Sequence, residues 1–208
     1  MTLTALVLIM FAGLVAGASP GPATLALAST SMTSGRGHGL ALAAGISLGS
    51  LIWSVSAALG LAALMAASGW AFEAMRYFGA AYLLYLAYKS ACSAFAATPR
   101  KAGFVANGTL RSAFLRGLLL HLTNPKAVLF FGALYSVGVP PTTGPAGLAL
   151  VIACIAVLST LLFHGYALLF STPAMIAGYK RLQRWFDSLA ACVFGAFGLK
   201  LITTRLEV

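Results

Sequence analysis

The sequence predicts an all-α membrane protein of about six transmembrane helices, built as two inverted three-helix repeats whose helices 1 and 4 are broken. Three observations predict it. Of 208 residues, 61% are hydrophobic and 8% charged, with a mean hydropathy of +0.96, where soluble domains carry roughly 25% charged residues. Charge-free apolar stretches recur along the whole chain, and its two halves share a proline-interrupted pattern. A chain this poor in polar groups cannot cover its own surface with them, so its solvent is lipid.

The apolar stretches place spans near 3–33, 39–68, 70–92, 113–138, 145–172 and 186–204. The first begins a run of thirty-five uncharged residues. Its Ala16-Gly17-Ala18 resembles a signal-peptidase site, but the basic start of a signal peptide is missing. The second follows Arg36. The third and sixth are shortened by Arg76 to Lys89 and by Asp187 to Lys200, and rely on terminal charges snorkelling to the interface. From Ala127 to Tyr179 there is no Asp, Glu, Lys or Arg. That is too long for one crossing of about 30 Å, so the chain must turn, at Pro140-Pro141-Thr142-Thr143-Gly144-Pro145. The whole forms one transmembrane domain: repeat 1 over about 1–97, a polar cytoplasmic linker over about 98–112, and repeat 2 over about 113–208.

Thirteen Lys and Arg stand against three acids, Glu73, Asp187 and Glu207, for a net charge of +10. The basic residues lie between apolar runs rather than along a solvated face, which argues for an anionic membrane surface and against nucleic acid. The loops after spans one, three and five hold Arg36; Lys89, Arg100, Lys101, Arg111 and Arg116; and Lys180, Arg181 and Arg184. The positive-inside rule makes these loops cytoplasmic and puts both termini outside. Cys92, Cys154 and Cys192 have neither CxxC nor metal-ligand spacing and read as small buried apolar residues. No cofactor or metal is expected.

Laying span one over span four aligns GLVAGASPGPATL from Gly13 with GLLLHLTNPKAVL from Gly117, an offset of 104 residues, half the chain. Ser19 meets Thr123, Ala23 meets Ala127, and Pro20-Gly21-Pro22 lies over Asn124-Pro125-Lys126. Three spans per copy make the second copy enter from the opposite face. Proline lacks an N–H and clashes with the preceding turn, so Pro20, Pro22 and Pro125 should break both helices. Broken backbone is tolerated in hydrocarbon only where it is buried in protein or lines a cavity. Ser19 and Thr123-Asn124 supply N-caps, and the half-helices that follow should aim amides and positive dipole ends at a carboxylate. A plain proline kink would account for one such site; two matched interruptions favour a midplane binding site.

Lys126 lies inside an apolar span and at a helix start, where the dipole repels it. An anionic substrate would relieve both penalties. The alternatives are snorkelling to a nearby interface or pairing with backbone carbonyls.

At these residues the sequence resembles the lysine exporter (LysE/RhtB) family of amino-acid exporters. The resemblance covers nearly the whole chain: SPGP in span one, AAGISLG in span two, GAAYLLYLAYKS from Gly79, and FLRGLLLHLTNPKAVLFF from Phe114. It implies a secondary transporter of the inner membrane, exporting amino acids or related small metabolites by ion-coupled alternating access. Relatives often carry an acidic or amide residue after PGP and an acid after the glycine-rich run; here Ala23 and Ser50 stand there. Their absence weakens the case for proton coupling and for a dibasic substrate. It favours a neutral amino acid or a less charged metabolite held by Ser19, Ser47, Ser50, Ser54 and tyrosine hydroxyls. The expected partners are this small solute and membrane lipid, with a homodimer left open.

His121 and His164 lie inside spans and are candidates for carrying a coupling proton, set against a packing role. Gly13/Gly17 and Gly45/Gly49 are GxxxG pairs for close helix packing, and Trp70 and Trp185 sit at span ends as an aromatic belt would. An enzyme would need paired acids, a metal cluster or a nucleophile with its base; the sequence offers none. A membrane redox protein of the DsbD/CcdA kind would place cysteines at repeat-equivalent positions, and none of the three has such a counterpart. A passive channel shares the hydropathy but gives no reason for two matched breaks.

Overall fold

A computed structural model of the protein describes residues 1–19, 21–67, 69–95, 108–140 and 142–203. Among these residues the structure is all helical, with eight helices and no strand. They are α1 (Leu3–Ala18), α2 (Pro22–Thr33), α3 (Arg36–Ala67), α4 (Gly69–Phe95), α5 (Leu110–Leu122), α6 (Pro125–Gly138), α7 (Pro145–Leu169) and α8 (Pro173–Thr203). Four of them, α2, α6, α7 and α8, begin on a proline. Proline suits the first helical position because its missing N–H has no intrahelical partner there.

Both expected interruptions are present. α1 and α2 are bent by 54° across their break, and α5 and α6 by 56° across theirs. The turn at Pro140 to Pro145 is also present, between α6 and α7, closed by the Thr143 amide on the Pro140 carbonyl at 3.0 Å. Two described segments, Arg36–Gly60 of α3 and Pro145–Leu169 of α7, are singly long and apolar enough to cross a membrane. Counting each bent pair as one span makes four. α4 and α8, at 27 and 31 residues, have ample length at about 1.5 Å per residue but carry more charge.

The sixth span differs most from expectation. α8 begins at Pro173 rather than near 186, so Lys180, Arg181 and Arg184 belong to a helix and not to a loop. Apolar counting misses this because the first turns of α8 carry charge: Arg181 and Arg184 are exposed, as are Leu182 and Trp185, while Asp187 is only 2% exposed. Most of the expected linker, residues 98–107, lies outside the described residues, and Leu110 to Ser112 already belong to α5.

Packing follows the small residues. α3 and α5 run parallel in close contact, from His38 Nε2 on the Gly108 carbonyl at 2.8 Å to Gly49 against the His121 side chain. Between these points Gly45 meets the Phe114 carbonyl and Gly117 meets the Leu42 carbonyl so closely that neither position has room for a Cβ. Gly13 and Gly17 face the side-chain ends of Leu158 and Leu162 of α7. α4 and α8 run antiparallel, with Gly198 against Leu84 at one end and Asp187 bonded to Ser93 at the other. The cysteines correct the expectation of burial: Cys92 and Cys192 are exposed on the outer faces of α4 and α8, and Cys154 is intermediate. Trp185 is 76% exposed, as a belt residue would be, whereas the Trp70 side chain lies outside the described residues.

Candidate functional site

A helix that stops inside a bundle leaves its last carbonyls without intrahelical donors. At the end of α1 the Ser19 amide returns to Val15 O at 2.9 Å. Lys126, in the first turn of α6, then places its Nζ 3.1 Å from Ala16 O and 3.2 Å from Ser19 O. At the end of α5 the His121 carbonyl accepts the Asn124 amide at 3.2 Å and the indole Nε1–H of Trp53 at 3.4 Å. Each broken end is therefore capped by a donor from elsewhere, and one of these donors is a cation. A positive charge at a helix C-terminus is favourable, so Lys126 offsets the repulsion of its own helix start with the carbonyl end of α1.

The starts of the half-helices differ. The Asn124 Oδ1 accepts the Lys126 amide at 3.1 Å, and the Asn124 carbonyl accepts the Ala127 and Val128 amides. The first turn of α6 thus keeps its own amides, and the feature it presents to a ligand is the Lys126 ammonium. At α2, Gly21 offers no side-chain cap; its amide instead donates to Thr24 Oγ1 at 2.7 Å, and that hydroxyl donates to Gly21 O at 3.0 Å. Asn124→Ala is expected to destabilise the fold by about 1 kcal/mol, the usual cost of a lost N-cap, read as a lowered unfolding midpoint of the purified protein.

Two cavities flank this crossing, and Ser19, Gly21, Asn124 and Lys126 line both. The first, of about 70 Å³, is walled mainly by apolar groups such as Phe130, Phe131, Ile155 and Phe163, with Thr24, Ser50 and His121 as polar members. One water needs about 10–15 Å³ measured in this way, so it has room for several waters or a small side chain. The second, of about 230 Å³, lies against α4 and α8 and has a mainly apolar wall into which Tyr82, Tyr85, Lys89, Ser93 and Asp187 bring polar groups.

The comparisons with known proteins bear on this arrangement. The family model of LysE type translocators matches residues 3–205. The chain belongs to the LysE type translocator family. It is 32% identical over 194 residues to the threonine efflux protein of Escherichia coli (strain K12), covering 92% of this chain and 94% of that protein. It is 32% identical over 191 residues to the leucine efflux protein of Klebsiella pneumoniae, covering 89% of each. An uncharacterized membrane protein of Pseudomonas aeruginosa is 34% identical over 195 residues, covering 90% of each. No solved structure matches the chain.

Within this translocator scaffold the residues anticipated from sequence separate into two groups. Ser19, Gly21, Asn124 and Lys126 converge between the cavities; Ser50 and His121 line the first, and Pro22 the second. Pro125 opens α6, and Pro20 lies outside the described residues. Ser47, Ser54, Thr123 and His164 line neither cavity. Ser54 bonds the buried hydroxyl of Tyr135, Thr123 Oγ1 donates to Leu119 O at 2.8 Å, and His164 Nδ1 meets Thr160 O at 2.9 Å within its own helix. His121 is buried, with Nε2 3.1 Å from Ser50 Oγ and rings of Phe131 and Phe163 edge-on to it.

Sequence reasoning missed Asp187, which seemed to mark the edge of a span. It also missed Thr24 and Ser93, and expected tyrosine hydroxyls without singling out Tyr82 and Tyr85. Asp187 and Ser93 had one available signal, since they follow from pairing α4 with α8; the others depend on the bends.

Proposed function

We propose that this chain is a secondary transporter of the inner membrane that exports amino acids, with the carboxylate of the substrate taken up at Lys126. The observation that carries this reading is the meeting of the two interruptions: a cation from the break in the second half rests on the carbonyl end of the break in the first. Interrupted helices at corresponding positions, joined around a polar cavity, are the arrangement of transporters with a midplane site. The names of the relatives, threonine efflux and leucine efflux, support amino acids as the substrate class. The apolar first cavity suits a small neutral side chain.

In this reading the protein crosses the membrane about six times as two inverted repeats, with both termini outside. Several contacts support that symmetry. α4 and α8, equivalent at the 104-residue offset, pack antiparallel, as a two-fold axis in the membrane plane requires. Exchanging the halves carries the α1–α7 contact onto the α5–α3 contact, though in a different register, since Gly117 meets Leu42 while its counterpart Gly13 meets Leu158 rather than Ala146. Alternating access then rocks one repeat against the other about the shared crossing, driven by an ion gradient, with the buried His121 a candidate for the coupling proton.

Uptake of radiolabelled threonine and leucine into inverted vesicles, with and without an imposed proton gradient, tests the proposal. Gradient-dependent accumulation is expected. Gradient-independent leak would favour a passive channel, and no uptake of either amino acid would sink the export reading. Pro22→Ala and Pro125→Ala are both expected to impair uptake by letting the helices re-form across their breaks; full activity in either would undo the two-sided site.

A further inference from the structure

We infer that Asp187 is the anionic pole of the substrate site: it receives the ammonium of the solute whose carboxylate Lys126 holds, so the cavity between α4, α8 and the two breaks selects a zwitterion. The inference rests on the export reading and goes beyond it by assigning the amine. Asp187 is 2% exposed in a long helix of an apolar bundle. An ionisable group so placed is costly and marks a solute or ion path. It lines the same 230 Å³ cavity as Lys126, and its Oδ2 accepts a 2.8 Å hydrogen bond from Ser93 of α4, which fixes the carboxylate against that wall. Among the described residues the charged groups lining the cavity are Lys89, Lys126 and Asp187. Lys89 is exposed and lies with its Nζ 5.7 Å from the Tyr85 ring centroid, leaving Lys126 and Asp187 as the inner poles of opposite sign. The carboxylates missing after the PGP motif and after the glycine-rich run are thereby replaced from the opposite side of the bundle.

A site built around a buried charge rejects an analogue that lacks the matching group, because the protein group then loses its partner. The test is efflux from proteoliposomes loaded with L-leucine or with its 2-hydroxy counterpart, which keeps the carboxylate and side chain but lacks the ammonium. The wild type is expected to prefer leucine by about tenfold or more. Asp187→Asn should bring that preference to near unity, and Asp187→Glu should restore part of it. Ser93→Ala separates charge from anchoring: it should keep the preference while slowing transport, since the carboxylate remains.

If Asp187→Asn is transport-inactive, the same ratio is read from thermal stabilisation of the purified variant by each solute. An Asp187→Asn protein that still discriminates as the wild type does would overturn the inference and leave the export reading standing. Equal loss of discrimination in Ser93→Ala and Asp187→Asn would reduce Asp187 to a pin between α4 and α8. A wild type that moves leucine and its hydroxy analogue equally would also overturn the inference. A wild type that moves neither fails at the level of export.

Discussion

Lys126→Ala is expected to abolish amino-acid export, by roughly a hundredfold or more, while the protein still accumulates in the membrane. The ammonium makes hydrogen bonds to Ala16 O and Ser19 O, and bonds to a charged group contribute about 1.5–3 kcal/mol each. Removing it takes away both the attraction for a substrate carboxylate and the tie between the breaks. The fold should survive, because α6 keeps its Asn124 cap and its start on Pro125. Efflux measured beside membrane abundance checks this; wild-type efflux at normal abundance would exclude Lys126 as the carboxylate partner.

The second large effect is structural. Gly45→Val and Gly117→Val should each destabilise the bundle beyond the roughly 1–3 kcal/mol typical of overpacking, because the added carbons meet the backbone carbonyls of Phe114 and Leu42 rather than movable side-chain tips. Separation of α3 from α5 is the only relief, and it would drag the His121 ring away from Ser50. Gly60 is the control, since none of the described atoms lies within 4 Å of a Cβ added there. Gly60→Ala is expected to hold or slightly raise stability, alanine being the better helix former by about 1 kcal/mol. Thermal unfolding of the purified variants separates the two cases, and unchanged midpoints for Gly45→Val and Gly117→Val would mean that the α3–α5 contact is looser than described.

These residues also show what was legible before the structure. Breaks at Ser19 to Pro22 and Thr123 to Pro125 follow from proline chemistry, which is local, and both appear within a residue of the expected places. The starts of α7 and α8 obey the same rule, yet only that of α7 was anticipated, because Lys180, Arg181 and Arg184 disguised the first turns of α8 as a loop. The role of Lys126 was half legible. Pairing with backbone carbonyls was one of the alternatives its position left open, and the structure shows that pairing; which carbonyls it meets depends on how α1 is bent over α6, a tertiary fact with no local signature. Ser54 and Thr123 show the opposite error. Hydroxyls near a motif look available, but one is engaged by Tyr135 across the bundle and the other by its own helix. Asp187 was misread because charge position was taken as a ruler for the edge of the membrane, and a buried charge breaks that ruler.

The lysine resting on the cut end of α1 has one more implication. On the proposed reading an arriving carboxylate would not meet a bare cation; it would displace peptide oxygens that already hold it. Filling the pocket would then loosen the strap between the two halves of the molecule, and emptying it would refasten them, so that occupancy itself would alter how freely one half can swing past the other.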